Sequence, residues 1–207
     1  MHFGIIAVKS RKQYVIKLLK EIGQSKEHHQ FVYFDYKLQG HWWNLRRTLI
    51  DMIWSTPENE LFLICCDDAK PCTNWIDRFT EIETSSKTMA YVLFTRKSNI
   101  LTDANIKQGY YKGLVNSGFY DVATIFRNDR ALLTDMIKWI DNQIKYADII
   151  PKKYLKHFDF CIQYYLNHHK IEVTIATPSL FNTRDIPSVI KHNCENAALL
   201  SYADRKP

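Results

Sequence analysis

The chain has 207 residues, 46% of them hydrophobic and 24% charged, with a formal net charge of +6. That length holds one large domain or two small ones around a substantial core, and the balance excludes a disordered or fibrous chain. The charge favours anionic partners such as nucleotides or nucleic acid; no long Lys/Arg tract occurs, so a generally basic solvated surface is the alternative. The five cysteines include no C-x-x-C pair and read as reduced thiols. A zinc site from Cys65, Cys66, Cys72 and a distant His fits no common spacing. The apolar stretch in MHFGIIAVKSR is too short for a signal peptide and no segment is long enough to span a membrane, so a soluble, cytoplasmic protein with no membrane partner is expected.

In chain order, Phe3 to Val8 reads as a first strand. Arg11 to Ile22 follows as a helix, because Val15, Ile16, Leu18, Leu19 and Ile22 recur at helical spacing and Gly23 is a stop signal. Phe31 to Phe34 is a short second strand ending at Asp35, Gly40 marks a loop, and Asn44 to Trp54 is a helix closed by Ser55-Thr56-Pro57. Leu61 to Cys66, a continuous apolar run bounded by polar residues, reads as a fully buried third strand. Trp75 to Glu83 is a helix and Met89 to Phe94 a fourth strand. Ser98 to Gly118 reads as a loop-rich insertion, with Lys107, Tyr110-Tyr111 and Lys112 interleaving basic and aromatic groups. Val122 to Phe126 is a strand, and Arg130 to Tyr146 a helix with Leu132, Leu133, Met136, Ile137, Ile140 and Ile144 apolar. Asp148 to Lys156 is a connection, Phe158 to Leu166 a helix and Ile171 to Ala176 a strand. Pro178-Ser179-Leu180 opens an irregular C-terminal segment.

The alternation predicts one α/β domain over residues 1–207, a mostly parallel sheet with helices on both faces. Neither G-x-G-x-x-G nor G-x-x-x-x-G-K-[ST] occurs, so a bound nucleotide must be held by a metal and by basic side chains.

Open α/β sheets bind ligands outside the carboxyl ends of their strands. Asp67 and Asp68 stand there, directly after the buried run. Adjacent carboxylates repel, a divalent cation relieves the repulsion, and oxygen ligands completed by substrate phosphates suit Mg²⁺ or Mn²⁺. The functional reading is a metal–diphosphate site on Asp67 and Asp68. The plain reading is a solvated Asp-Asp turn, and the dipeptide alone favours it. Arg11 can reach a phosphate from the first βα loop or be an ordinary helix-start charge. Trp42 and Trp43 can stack on a base or sugar, with at least one of them in the core. Arg46 and Arg47 begin a helix, so one of them faces solvent. The pairs His28-His29 and His168-His169 read as surface histidines.

Four segments stand in one order: Arg11 after the first strand; Asp35 through Gly40-His41-Trp42-Trp43-Asn44-Leu45-Arg46-Arg47; Asp67-Asp68-Ala69-Lys70-Pro71-Cys72-Thr73-Asn74-Trp75; and Pro178-Ser179-Leu180 followed by Ser188-Val189-Ile190. Together they resemble the small GT-A-type glycosyltransferases of phages and bacteria, in which a buried strand ends in an Asp-Asp variant of the D-x-D motif. The chain departs from that pattern at two places: Cys66 stands at the first D-x-D position, and Asn182-Thr183-Arg184 stands where a His is usual, the nearest being His192.

The resemblance implies a GT-A-like fold and a glycosyltransferase that uses a nucleotide-sugar, a UDP-sugar by expectation. It implies Mg²⁺ or Mn²⁺ on Asp67 and Asp68. It implies a donor pocket of Arg11, Asp35, Trp43, Arg47, Asp67 and Arg184, in which Asp35 accepts a ribose hydroxyl, an ordinary strand-end Asp being the alternative, and Arg184 supplies charge to the diphosphate. It also implies an acidic residue near the acceptor at the start of the helix from Phe158. Asp159 is thus the first candidate for the general base and Asp148 the second, with a helix N-cap the alternative for Asp159. The likeness to phage enzymes and the basic charge point to a hydroxylated or hydroxymethylated base in double-stranded DNA as acceptor. A polysaccharide or protein acceptor, or a catalytically silent nucleotide- or DNA-binding module, are the alternatives.

Overall fold

The computed structural model describes residues 1–23, 29–35, 41–95, 100–115, 122–146, 148–155 and 157–184. Nine strands and six α-helices alternate through them: β1 (His2–Ala7), α1 (Lys12–Ile22), β2 (Gln30–Phe34), α2 (His41–Ser55), β3 (Leu61–Cys66), β4 (Ala69–Pro71), α3 (Trp75–Ser85), β5 (Ala90–Val92), α4 (Asp103–Gln108), β6 (Tyr110–Gly113), β7 (Ala123–Arg127), α5 (Arg130–Tyr146), α6 (Phe158–His168), β8 (Val173–Ala176) and β9 (Phe181–Thr183).

Seven strands form one sheet in the order β2-β1-β3-β7-β5-β8-β6. β1 pairs in parallel with β2 and β3, and β5 with β8; β7 is antiparallel to β3 and β5, and β6 to β8. The sheet is therefore mixed: β1, β2, β3, β5 and β8 run one way, and β6 and β7 run against them. β4 and β9 pair separately.

Apolar side chains cover both faces. Against one face, α2, α5 and α6 bury Leu45, Leu49, Met52, Met136, Ile140, Ile162 and Tyr165 with Phe62 and Ile64 of β3. Against the other, α1 and α3 bury Val15, Leu18, Ile22, Phe79 and Ile82 with Leu63 and Cys65. Alternate residues of β3 thus feed opposite cores, as the period of two demands, and its continuous apolar run follows from burial on both sides. Helix α5 shows the complementary period: Leu133, Met136, Ile137 and Ile140 are its buried stripe. At Gly4 a Cβ would stand 2.7 Å from Cγ2 of Thr48, so the bare glycine lets α2 lie close on β1.

Two expectations are corrected. The insertion expected over Ser98 to Gly118 contains a helix and a strand within its described part, residues 100–115. Thr102 caps α4 by accepting the Asn105 N–H, Gly109 ends the helix at φ 89°, and β6 then pairs with β8. The C-terminal segment expected to be irregular supplies β9, whose ladder with β4 follows Asp68 directly. Among the described residues no helix is long and apolar enough to cross a membrane.

Candidate functional site

The carboxyl ends of β1, β2 and β3 meet at one side of the sheet, and backbone hydrogen bonds tie them together there. The Asp67 N–H donates to the Ile6 carbonyl at 3.0 Å, and the Asp35 N–H donates to the Ala7 carbonyl at 2.9 Å. Asn44, buried in the first turn of α2, donates from Nδ2 to the Tyr33 carbonyl at 2.9 Å and to the Ala7 carbonyl at 3.5 Å. The role of Asn44 as a brace between two strand ends has no local signal in the sequence.

Asp67 is the centre of this knot. It is 4% exposed, and both carboxylate oxygens accept hydrogen bonds. Oδ2 accepts from the Val8 N–H at 3.0 Å, and Oδ1 accepts from Nη1 of Arg11 at 2.9 Å. The same Nη1 stands 3.7 Å from Oδ2 of Asp68, whose side chain is 29% exposed. The structure thus brings Arg11, Asp67 and Asp68 together and turns Asp68, not Asp67, toward the open side. Their charges also act on the strand beneath: burial first, then Asp68 and Asp67, push the Cys65 thiol far above its usual range.

The expected divalent cation is tested by this donor set. Mg²⁺ and Mn²⁺ take oxygen ligands at close range, about 2.0–2.1 Å for Mg²⁺. Asp67 already serves a backbone N–H and a guanidinium, and is sealed from water. Among the described residues no group of three or more His, Cys, Asp or Glu side chains is suited to a metal. Asp67 is therefore taken up within the fold and does not fit a metal, which leaves Asp68 as the single carboxylate of the pair on the open side.

The C-terminal segment folds back over this turn. The Ser179 hydroxyl, fully buried, accepts the Thr95 N–H at 3.0 Å and donates to the Thr95 carbonyl at 3.3 Å. The Cys72 N–H donates to the Leu180 carbonyl at 2.9 Å, and the Arg184 N–H donates to the Asp68 carbonyl at 2.6 Å. Pro178-Ser179-Leu180 is thereby a clamp on β4 and β5. The Arg184 guanidinium, expected on a diphosphate, instead forms an ion pair with Glu21 of α1 at 7% side-chain exposure. The reason is local: the backbone of β9 carries the side chain toward α1, where a carboxylate stands.

On α2, Trp42 is in the core and donates from Nε1 to Asp141 at 3.1 Å, while Trp43 is 53% exposed beneath Arg46 at 5.8 Å. Arg46 pairs with Asp141 at 2.8 Å. Arg47 is exposed, donates to Asn44 Oδ1 at 3.2 Å and lies 5.1 Å over the Tyr33 ring. Trp43 and Arg47 are therefore the accessible members of that segment. The Tyr33 hydroxyl is raised in pKa by burial, then by its hydrogen bond to Asp51.

Asp148 is exposed in the connection after α5, and Asp159 is half-buried in the first turn of α6. Helix α6 runs down into β8, so its start and Asp148 lie at the same end of the sheet as Asp67 and Asp68. The N-cap of α6 is His157, so Asp159 is not the cap; its charge sits where a helix N-terminus favours an anion. Of the remaining residues singled out in the sequence, His28, Gly40, Asp185 to Ile190 and His192 lie outside the described residues.

No family model matches the chain, and no curated protein sequence does. Among solved structures it is similar to S. aureus TarS residues 1–349 in complex with UDP-GlcNAc, at 14% identity and a TM-score of 0.54, over 91% of this chain and 60% of that one. The TarS 1–349 structure with UDP matches at 14% identity and 0.52, over 87% and 59%. A glycosyltransferase involved in glycosylation of the major capsid of PBCV-1 is similar at 11% identity over 96% of this chain and 95% of that one, with a TM-score of only 0.49. At these identities the likeness is one of fold: this chain has the GT-A-like α/β fold and spans about 60% of the TarS chain.

Proposed function

We propose that this chain is a nucleotide-sugar-dependent glycosyltransferase. The observation that carries the reading is the Arg11–Asp67–Asp68 cluster at the carboxyl end of β3, in a GT-A-like sheet and floored by the β4–β9 ladder. The similar TarS structures hold UDP and UDP-GlcNAc, which supports a UDP-sugar as donor. In this reading Asp35 accepts a ribose hydroxyl, Trp43 and Arg47 border the nucleotide, and Asp68 faces the sugar and diphosphate. Asp159 takes the proton of the acceptor hydroxyl, with Asp148 the second candidate; the acceptor oxygen then bonds to the anomeric carbon as the bond to the diphosphate breaks.

The acceptor arm of the proposal is a hydroxymethylated base in DNA, supported by the net charge of +6. A second reading, a silent nucleotide-binding module, is favoured by one observation: Asp67 is already satisfied within the fold. Mass spectrometry after incubation with UDP-sugars and hydroxymethylated DNA tests both. Mass gain on the DNA is the expected result. Asp159→Asn should lower transfer by about 10²–10⁴-fold with UDP affinity unchanged. Transfer only to a polysaccharide or protein removes the DNA arm, UDP binding with no turnover establishes the silent module, and full activity in Asp159→Asn removes the base.

A further inference from the structure

We propose that the resident cation of this donor site is Arg11 itself, and that the chain binds its nucleotide diphosphate without a divalent metal. The inference rests on the nucleotide-sugar reading above and deepens it.

A pair of adjacent carboxylates at a strand end needs a positive charge beside it. Here Arg11 supplies one: Nη1 is 2.9 Å from Asp67 and 3.7 Å from Asp68, and the Arg11 side chain is 12% exposed. The guanidinium is permanently charged and planar, and its fork can hold a carboxylate along one edge while presenting N–H groups to a phosphate along another. A metal bound at about 2.1 Å from either carboxylate would lie within about 6 Å of this guanidinium. On Asp67 the two cations would compete for Oδ1, and like charges at that range repel. The Val8 N–H holds Asp67 from the other side, so the carboxylate cannot turn away to serve a metal without leaving a backbone donor unmatched.

Arg11 stands in the turn between β1 and α1, flanked by the exposed Lys9 and Lys12. That turn lies at the carboxyl end of the parallel strands, where an α/β sheet takes its ligand. The neighbouring Asp68 is then left to meet hydroxyls of the sugar. Arg184 does not substitute for Arg11, because Glu21 balances its charge.

The test is calorimetric titration of the full chain with UDP, in EDTA and in millimolar MnCl₂, together with electron paramagnetic resonance of Mn²⁺ added to the protein alone. The expected result is UDP binding in EDTA, with affinity within about twofold of that in manganese, and a free-ion Mn²⁺ spectrum. Binding of UDP only in manganese overturns the inference and leaves the glycosyltransferase reading standing. No UDP binding in either buffer overturns both. Arg11→Gln should weaken metal-free UDP binding by more than about tenfold, and should let Mn²⁺ bind to the uncovered carboxylates. Arg11→Lys keeps the charge without the fork and should fall between. An Arg11→Gln protein that binds UDP in EDTA as tightly as the parent chain also overturns the assignment. The wild-type arm stands by itself if that variant does not fold.

Discussion

Asp67 and Asp159 are both carboxylates at the ligand end of the sheet, and the chain treats them differently. Around Asp67 the strand ends of β1 and β3, a guanidinium and a backbone N–H converge on one buried group. Around Asp148 and Asp159 the side chains are exposed or half-buried, on a connection and the first turn of a helix. The contrast is one of preorganisation. A donor diphosphate presents the same chemistry whatever sugar it carries, so fixed groups suit it. An acceptor varies in shape, and the residues that would meet it stand where changes cost the fold little.

That contrast breaks first under substitution of Asp67 and of Asp148. Asp67→Ala leaves the Arg11 charge and the Val8 N–H unmatched in a buried place, and should cost about 3–5 kcal/mol of stability. Asp148→Ala should change it by less than about 0.5 kcal/mol. Urea unfolding of the two variants measures both, and equal losses would show that the two ends are not built differently. A middle-sized effect is expected at the clamp. Ser179→Ala strands a buried N–H and carbonyl of Thr95 and should cost about 1–3 kcal/mol, with weaker UDP binding because the strand beside Asp68 loosens; Ser179→Thr or →Cys, which keep a donor, should lose less.

The smallest effect sharpens the acceptor end. Burial first, and then the charge of Asp159, raise the Cys161 thiol from 9.0 to about 12. The unfolded thiol ionises from about pH 9 while the folded one stays protonated, so the stability held below that pH is lost as the pH climbs toward 12. Cys161→Ser should flatten the decline of the unfolding free energy between those values and leave pH 7 almost unchanged. An unaltered slope would mean that Cys161 is not held neutral by its surroundings.

What could be read in the sequence follows from how local each signal is. Strand β3 over Leu61–Cys66 and helix α5 over Arg130–Tyr146 are found where the apolar run and the helical stripe place them, because burial on two faces or on one stripe is written within a few residues. Strands β4 and β9 have three residues each and no periodicity; they exist only as each other's partner. The reversed directions of β6 and β7 are likewise set by pairing across the sheet. At the site, the positions of Arg11, Asp67 and Asp68 were legible from strand-end logic. Their mutual neutralisation was not, because Arg11 and Asp67 are 56 positions apart. Arg184 shows the same gap: it was expected on a diphosphate, and its pairing with Glu21, 163 positions away, had no local signal.

The link between Cys72 and Ser179 spans 107 positions and belongs to the seam that floors the site. On a ribosome adding about 5–20 residues per second, the Asp67–Asp68 turn emerges several seconds before the strand that will hold it. Closing so long a loop comes late and adds to the contact order of the whole chain. The nascent protein can therefore lay down the β1–β2–β3 core with Arg11 and Asp67 before β9 is made. A stop codon shortly before residue 181 would leave a chain with most of its apolar core and without β9.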